Sequence, residues 1–128
     1  MKYFSLIIFI VLLFTGCKDT GVDVDEKTIP ALNVSFSQDI QPVLERHCVA
    51  CHNESTKEGD LSLTTHVNIT RDPGVVFPGE PQNSRLVWRI DPQYGMALMP
   101  PIGSPYKPLN ANQIEGIKTW IKEGAKNN

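Results

Sequence analysis

The sequence predicts a small all-α domain of about three helices joined by long connecting loops. Apolar residues recur at helical spacing in three separate stretches: Phe36, Ile40, Val43 and Leu44; Leu86, Val87 and Ile90; and Ile114, Ile117, Trp120 and Ile121. Between them lie runs such as Asn53-Glu54-Ser55, Asp72-Pro73-Gly74 and Phe77-Pro78-Gly79, which are turn chemistry, not strand alternation. The chain has 128 residues, room for one domain, and 12 basic residues against 14 acidic ones, a balance that does not indicate a nucleic-acid binder.

The first helix is expected from Phe36 to His52, its four apolar positions forming one face. Ser37 or Asp39 can cap it. Pro42 is tolerated only near the start, which places the first turn at Ile40 to Pro42. The stretch from Asn53 to Gly79 reads as loop, with short extended pieces at Leu61 to Leu63 and Val75 to Phe77. A second, short helix is expected from Glu80 to Gln93, entered after Pro81 with Ser84 as cap. The third, Asn110 to Gly124, is the best defined. Asn110 and Gln113 form a capping box, Leu109 and Ile114 a hydrophobic staple, and Lys118 and Lys122 suit the C-terminal half of the dipole. Gly116 weakens this helix unless something approaches closely there, so a crossing with the first helix is expected, an ordinary surface glycine being the other reading.

Cys48-Val49-Ala50-Cys51-His52 organises the rest of the chain. It reads C-x-x-C-H, the attachment sequence for c-type haem. Two thiols at this spacing lie on one side of a helical turn, where both can reach the vinyl edge of one porphyrin and form thioethers. His52 then sits beneath the iron, where a neutral imidazole can bind as proximal ligand. A C-x-x-C pair can also be half of a zinc site or a thiol redox pair. The zinc reading wants a second ligand pair, and no further C-x-x-C or H-x3-5-H follows. The redox reading wants a βαβ setting, which is absent from the pattern.

The sixth iron position can be filled by Met96, Met99 or His66, or stay open. Pro100 and Pro101 stiffen the backbone after Met99 and favour that thioether, leaving Met96 as a core methionine. His66 is more simply a solvated loop histidine, and His47, next to a thioether residue and poorly aimed, a surface one. Trp88 and Arg89 are candidates to meet haem propionates, with core Trp and surface Arg as the other reading.

Only Cys17 remains among the three cysteines. Met1-Lys2, an apolar run from Tyr3 to Phe14, and Phe14-Thr15-Gly16-Cys17 resemble a bacterial lipoprotein signal peptide, which implies a diacylglyceryl anchor on Cys17. This run of twelve residues, one of them Ser5, falls short of the roughly 20 that span a bilayer. The expected organisation is signal peptide 1–16, flexible tether 17–35 and folded domain 36–128. Export agrees with the haem motif, because c-type haem is attached outside the bacterial cytoplasm.

From Phe36 to Gly124 the chain resembles class I monohaem cytochromes c, and more closely the small cytochrome c domains of planctomycete and Bacteroidota exported proteins. The residues carrying this are Cys48 to His52 after Ile40-Gln41-Pro42-Val43-Leu44, then Gly59-Asp60-Leu61-Ser62-Leu63, Pro78-Gly79-Glu80-Pro81, Met99-Pro100-Pro101, and Trp120-Ile121 with Gly124-Ala125. The resemblance implies a small cytochrome c fold wrapped round one covalent haem c, with His52 and Met99 as the axial pair. It also implies an electron carrier, not an enzyme, with redox protein partners in the cell envelope, a membrane held through the lipid, and no nucleic acid. A haem sensor or peroxidase-like module with an open or openable sixth site is the alternative. A third reading is a non-catalytic subunit docked on a larger envelope complex.

Overall fold

The computed structural model describes residues 24–128. The expected signal peptide, the lipidation site Cys17 and the first part of the tether lie outside the described residues. Within them the chain is helical, with no strand: α1 (Gln41–His47), α2 (His66–Thr70), α3 (Arg85–Ile90) and α4 (Ala111–Lys122), plus single turns of tighter or wider helix. This is a small all-α cytochrome c-like arrangement.

A π-helical turn, Phe36–Ile40, leads into α1 and brings Pro42 into its first turn, as the proline requires. The cap is one residue the sequence reading passed over. Ser35 Oγ accepts from the Gln38 N–H (3.2 Å), and the Asp39 carboxylate accepts from the Ser35 N–H (2.9 Å), a reciprocal lock. The expected face is buried through Phe36, Ile40, Val43 and Leu44. Helix α2 stands in the stretch expected as loop, where Thr65 Oγ1 accepts from the Asn68 N–H at 3.3 Å and starts a helix too short to show periodicity.

Ser84 occupies the N-cap position of α3, but its hydroxyl does other work. It accepts from the Phe77 N–H (2.8 Å) and donates to the Glu80 carbonyl (3.1 Å), tying the preceding loop to itself. Helix α4 carries the full capping box between Asn110 and Gln113 and buries Ile114, Ile117, Trp120 and Ile121. These residues meet Ile40, Val43, Ile69, Val76 and Val87 in one core. Across its floor the Lys118 ammonium lies 2.5 Å from the buried Asp91 carboxylate.

The tether expected over residues 17–35 needs correction in its described part. Ile29 and Val34 are each 2% exposed. Side chains of α4 and its cap bind the backbone between residues 24 and 34. Asn112 accepts from the Ile29 N–H (2.7 Å) and donates to the Ile29 carbonyl (3.1 Å). Glu123 accepts from the Asn33 and Val34 N–H groups at 2.7 and 2.9 Å, and Gln113 donates to the Val24 carbonyl at 2.9 Å. The segment is a strap packed on the domain. Two aliphatic anchors and a satisfied backbone offset its ordering, which its polar composition concealed. Gly116 belongs to the same contact. A Cβ there would lie 2.5 Å from Ile29 Cγ2, so the close approach comes from the strap and not from the first helix.

Candidate functional site

The C-x-x-C-H segment begins where α1 stops. The N–H groups of Cys51 and His52 both donate to the Cys48 carbonyl, at 3.1 and 3.0 Å, closing one tight turn after the helix. Both cysteines carry free thiols, Cys48 buried and Cys51 half-buried. Burial, with Cys51 adding to it, pushes the Cys48 thiol up to about 12, so it is a neutral thiol at physiological pH. The loop after the motif folds back on it: the Glu58 N–H donates to the Cys51 carbonyl (3.2 Å) and the Leu63 N–H to the His52 carbonyl (2.8 Å).

His52 Nδ1 lies 2.9 Å from the Glu58 carbonyl oxygen. A carbonyl only accepts, so Nδ1 carries the proton, and in the neutral imidazole the lone pair is then on Nε2. That is the tautomer a metal-binding imidazole needs, with its orientation set by the other nitrogen.

A cavity of about 660 Å³ opens beside the motif, within the span of about 300–1,000 Å³ common for cofactor sites. Cys48, His52 and Met99 all line it, with Leu61, Leu63, Val75, Leu86 and Ile90 as apolar wall. The short extended pieces expected at Leu61 to Leu63 and Val75 to Phe77 reach the cavity through Leu61, Leu63 and Val75, while Phe77 is 42% exposed and does not line it. A smaller cavity of about 120 Å³ is lined by Cys48, Cys51, His52 and Met99 with Pro100, Pro101 and Tyr106. The Met99 N–H donates to the Arg89 carbonyl at 2.7 Å, which anchors the methionine loop to α3.

The other candidate ligands go elsewhere. Met96 is 43% exposed and lines neither cavity, so it is not the core methionine expected as its alternative role. His66 is no solvated loop residue: its Nε2 donates to the Ala125 carbonyl (2.7 Å), and its ring stands edge-on to Phe36 and Trp120, outside both cavities. His47 is 5% exposed, not a surface histidine, with Nδ1 donating to the Lys107 carbonyl at 2.9 Å. Trp88 gives its indole N–H to the Gln82 carbonyl (2.7 Å) and is absent from the cavity wall, whereas Arg89 lines it.

Arg71 and Arg85 also line the cavity, and sequence reading missed both. Arg85 precedes Arg89 by one helical turn, a signal that was legible; Arg71 lies at the end of α2, which was not foreseen. Arg85 is paired with Asp72 at 2.5 Å, while Arg71 and Arg89 pair with no carboxylate among the described residues. The lining is mixed, with the apolar wall beside the carboxylates of Glu54, Glu58, Asp60 and Asp72 and the guanidiniums of Arg71, Arg85 and Arg89. The apolar wall suits a flat apolar ring, and the two guanidiniums without a carboxylate partner suit carboxylates borne on it. No group of three or more His, Cys, Asp or Glu among the described residues is arranged to hold a metal ion.

Residues 48–103, from the first thiol into the methionine loop, match the family model described as Planctomycete cytochrome C. The chain carries a planctomycete-type cytochrome c domain. That match supports a c-type cytochrome, a family whose cofactor is haem c, and the donor set and cavity fit that group. In this cytochrome the strap, α1 and α4 lie outside the matched residues, although they supply much of the core. Comparison with curated proteins and with solved structures gave no match.

Proposed function

We propose that this cytochrome is a lipid-anchored monohaem carrier of single electrons in a bacterial cell envelope. The observation that carries the reading is the presence of His52 and Met99 on one cavity with Cys48 in its wall. Bound haem would supply an iron that cycles between ferric and ferrous states, at a potential raised by methionine ligation.

The chain's own residues divide the remaining work. Cys48 and Cys51, on one turn, would hold the porphyrin by two thioethers. His52 would offer Nε2 to the iron while the Glu58 carbonyl keeps the ring oriented through Nδ1. Met99, tied by its N–H to the Arg89 carbonyl, would offer its thioether to the same iron. Arg71 and Arg89 would receive the propionates. If His52 and Met99 both served the iron, none of its positions would be left for a substrate, which favours an electron carrier over an enzyme.

Acylation of Cys17 would hold the domain at a membrane, periplasm-facing or at the outer-membrane surface, with redox proteins of the envelope as partners. No helix among the described residues is long and apolar enough to cross a membrane. Mass spectrometry of the mature protein tests both halves. The expected result is the mass of one haem retained after denaturation, plus acyl chains on Cys17. Absence of covalent haem overturns the cytochrome reading of the site, and absence of acyl chains overturns the anchor alone. Reduced protein that binds CO rapidly would favour the open-site alternative.

A further inference from the structure

Asp25 belongs to the strap, yet its carboxylate joins three separate parts of the molecule. Its side chain is 8% exposed. Oδ1 lies 3.0 Å from Arg46 Nε and 3.8 Å from His47 Nε2, at the end of α1. Oδ2 lies 3.0 Å from Lys107 Nζ. Lys107 in turn accepts from His47 Nδ1 through its carbonyl at 2.9 Å, and the Asn110 side chain holds the Asp25 carbonyl at 3.2 Å. The Lys107 ammonium, helped by Arg46 and opposed by burial, keeps the Asp25 carboxyl below the usual range, so the group is charged at neutral pH.

The position of this cluster gives it a consequence for the haem site. His47 immediately precedes Cys48, and Lys107 closes the loop that begins at Met99. That loop is held at its entry by the Met99 N–H on Arg89 and at its exit by Lys107. Between the two, its hydrogen bonds among the described residues stay internal: the Ser104 N–H to the Pro101 carbonyl (3.0 Å), and Ser104 Oγ with Tyr106. The cavity of about 120 Å³ separates the loop, through Met99, Pro101 and Tyr106, from His47, Cys51 and His52 on the facing side. The exit anchor therefore bears on how far Met99 stands from His52. Without a carboxylate, Arg46 and Lys107 would face each other as like charges.

We infer that Asp25 is a positioning residue for Met99, clamping the exit of the methionine loop to the end of α1. The inference rests on Met99 being the sixth ligand. All four side chains of the clamp lie outside the residues that match the family model, so it is a feature of this chain's own strap and flanks.

The test uses the full-length, haem-loaded protein and reads the methionine-to-iron charge-transfer absorption of the ferric form and the midpoint potential. Far-UV circular dichroism and the Soret band control for fold and haem content. Asp25→Asn is expected to raise the ratio of methionine-free to methionine-bound haem about three- to tenfold and to lower the potential, because methionine ligation raises it. Lys107→Gln, at a side chain 72% exposed, should shift both readouts the same way by less. Asp25→Glu should restore them. If Asp25→Asn fails to fold, Lys107→Gln decides. A wild-type spectrum without the charge-transfer band overturns Met99 as ligand and the inference with it. A wild-type band that survives unchanged, with the same potential, in the folded variants overturns the inference alone.

Discussion

Replacing Gly116 by Ala separates helix propensity from tertiary packing in one substitution. Gly116 sits inside α4, where alanine alone would stabilise an exposed helix by about 1 kcal/mol. Here the added methyl would meet three atoms of Ile29, at 2.5 Å from Cγ2, 2.6 Å from Cβ and 2.7 Å from Cδ1. One of these is Cβ, so a rotamer change cannot clear the site, and Ile29 is 2% exposed with its backbone held by Asn112. Either the core absorbs the overlap, costing about 1–3 kcal/mol, or Ile29 leaves and about 2–3 kcal/mol of aliphatic burial is lost. Set against the helix gain, the first route leaves a net loss of up to about 2 kcal/mol and the second a net loss of about 1–2 kcal/mol. Thermal unfolding of the haem-loaded protein followed by circular dichroism should show a midpoint lower by about 5–10 °C. The same substitution in an Ile29→Ala background should be neutral or stabilising, since the methyl then has room. A Gly116→Ala protein at least as stable as wild type, with Ile29 intact, would show that the strap does not pack on α4 as described.

Other consequences concern single groups. Met99→Ala should abolish the methionine-to-iron band and admit CO to the reduced iron, whereas Met96→Ala, at an exposed position, should leave both unchanged. Asp91 is held below the ordinary carboxylate range, first by Lys118 and then by the Gln93 N–H, against burial. A depressed folded pKa means stability that is present above the unfolded value and lost as pH falls through the folded one. Urea midpoints of wild type and Asp91→Asn should therefore differ most at neutral pH and converge below about pH 4. A constant difference across that window would refute the ion-pair account. Ser84→Ala, which strips the Phe77 N–H and the Glu80 carbonyl of their partner, should cost about 1–3 kcal/mol in denaturant unfolding, more than a simple exposed cap.

Much of this cytochrome was readable from residue order alone. The apolar faces around Ile40 and Ile117 and the capping box at Asn110 depend on neighbours within one or two turns, so periodicity and side-chain chemistry were enough to place them. The C-x-x-C-H run was equally local, and two prolines after Met99 marked a constrained methionine without any knowledge of the fold. Tertiary structure decided what such patterns do not encode. His47 and His66 read as surface or loop residues because a histidine's burial depends on distant partners, here the Lys107 and Ala125 carbonyls. Residues 24–35 read as tether because their polar composition is compatible with solvent. They are ordered instead by two isolated aliphatics and by polar side chains 83 to 90 positions away in sequence. The same long-range contact explains Gly116, whose missing Cβ makes room for Ile29. Sequence determined which atoms could serve a haem and where the last helix begins; only the packed chain brought Cys48, His52 and Met99 to one cavity, because that closeness comes from a core shared by segments remote in sequence.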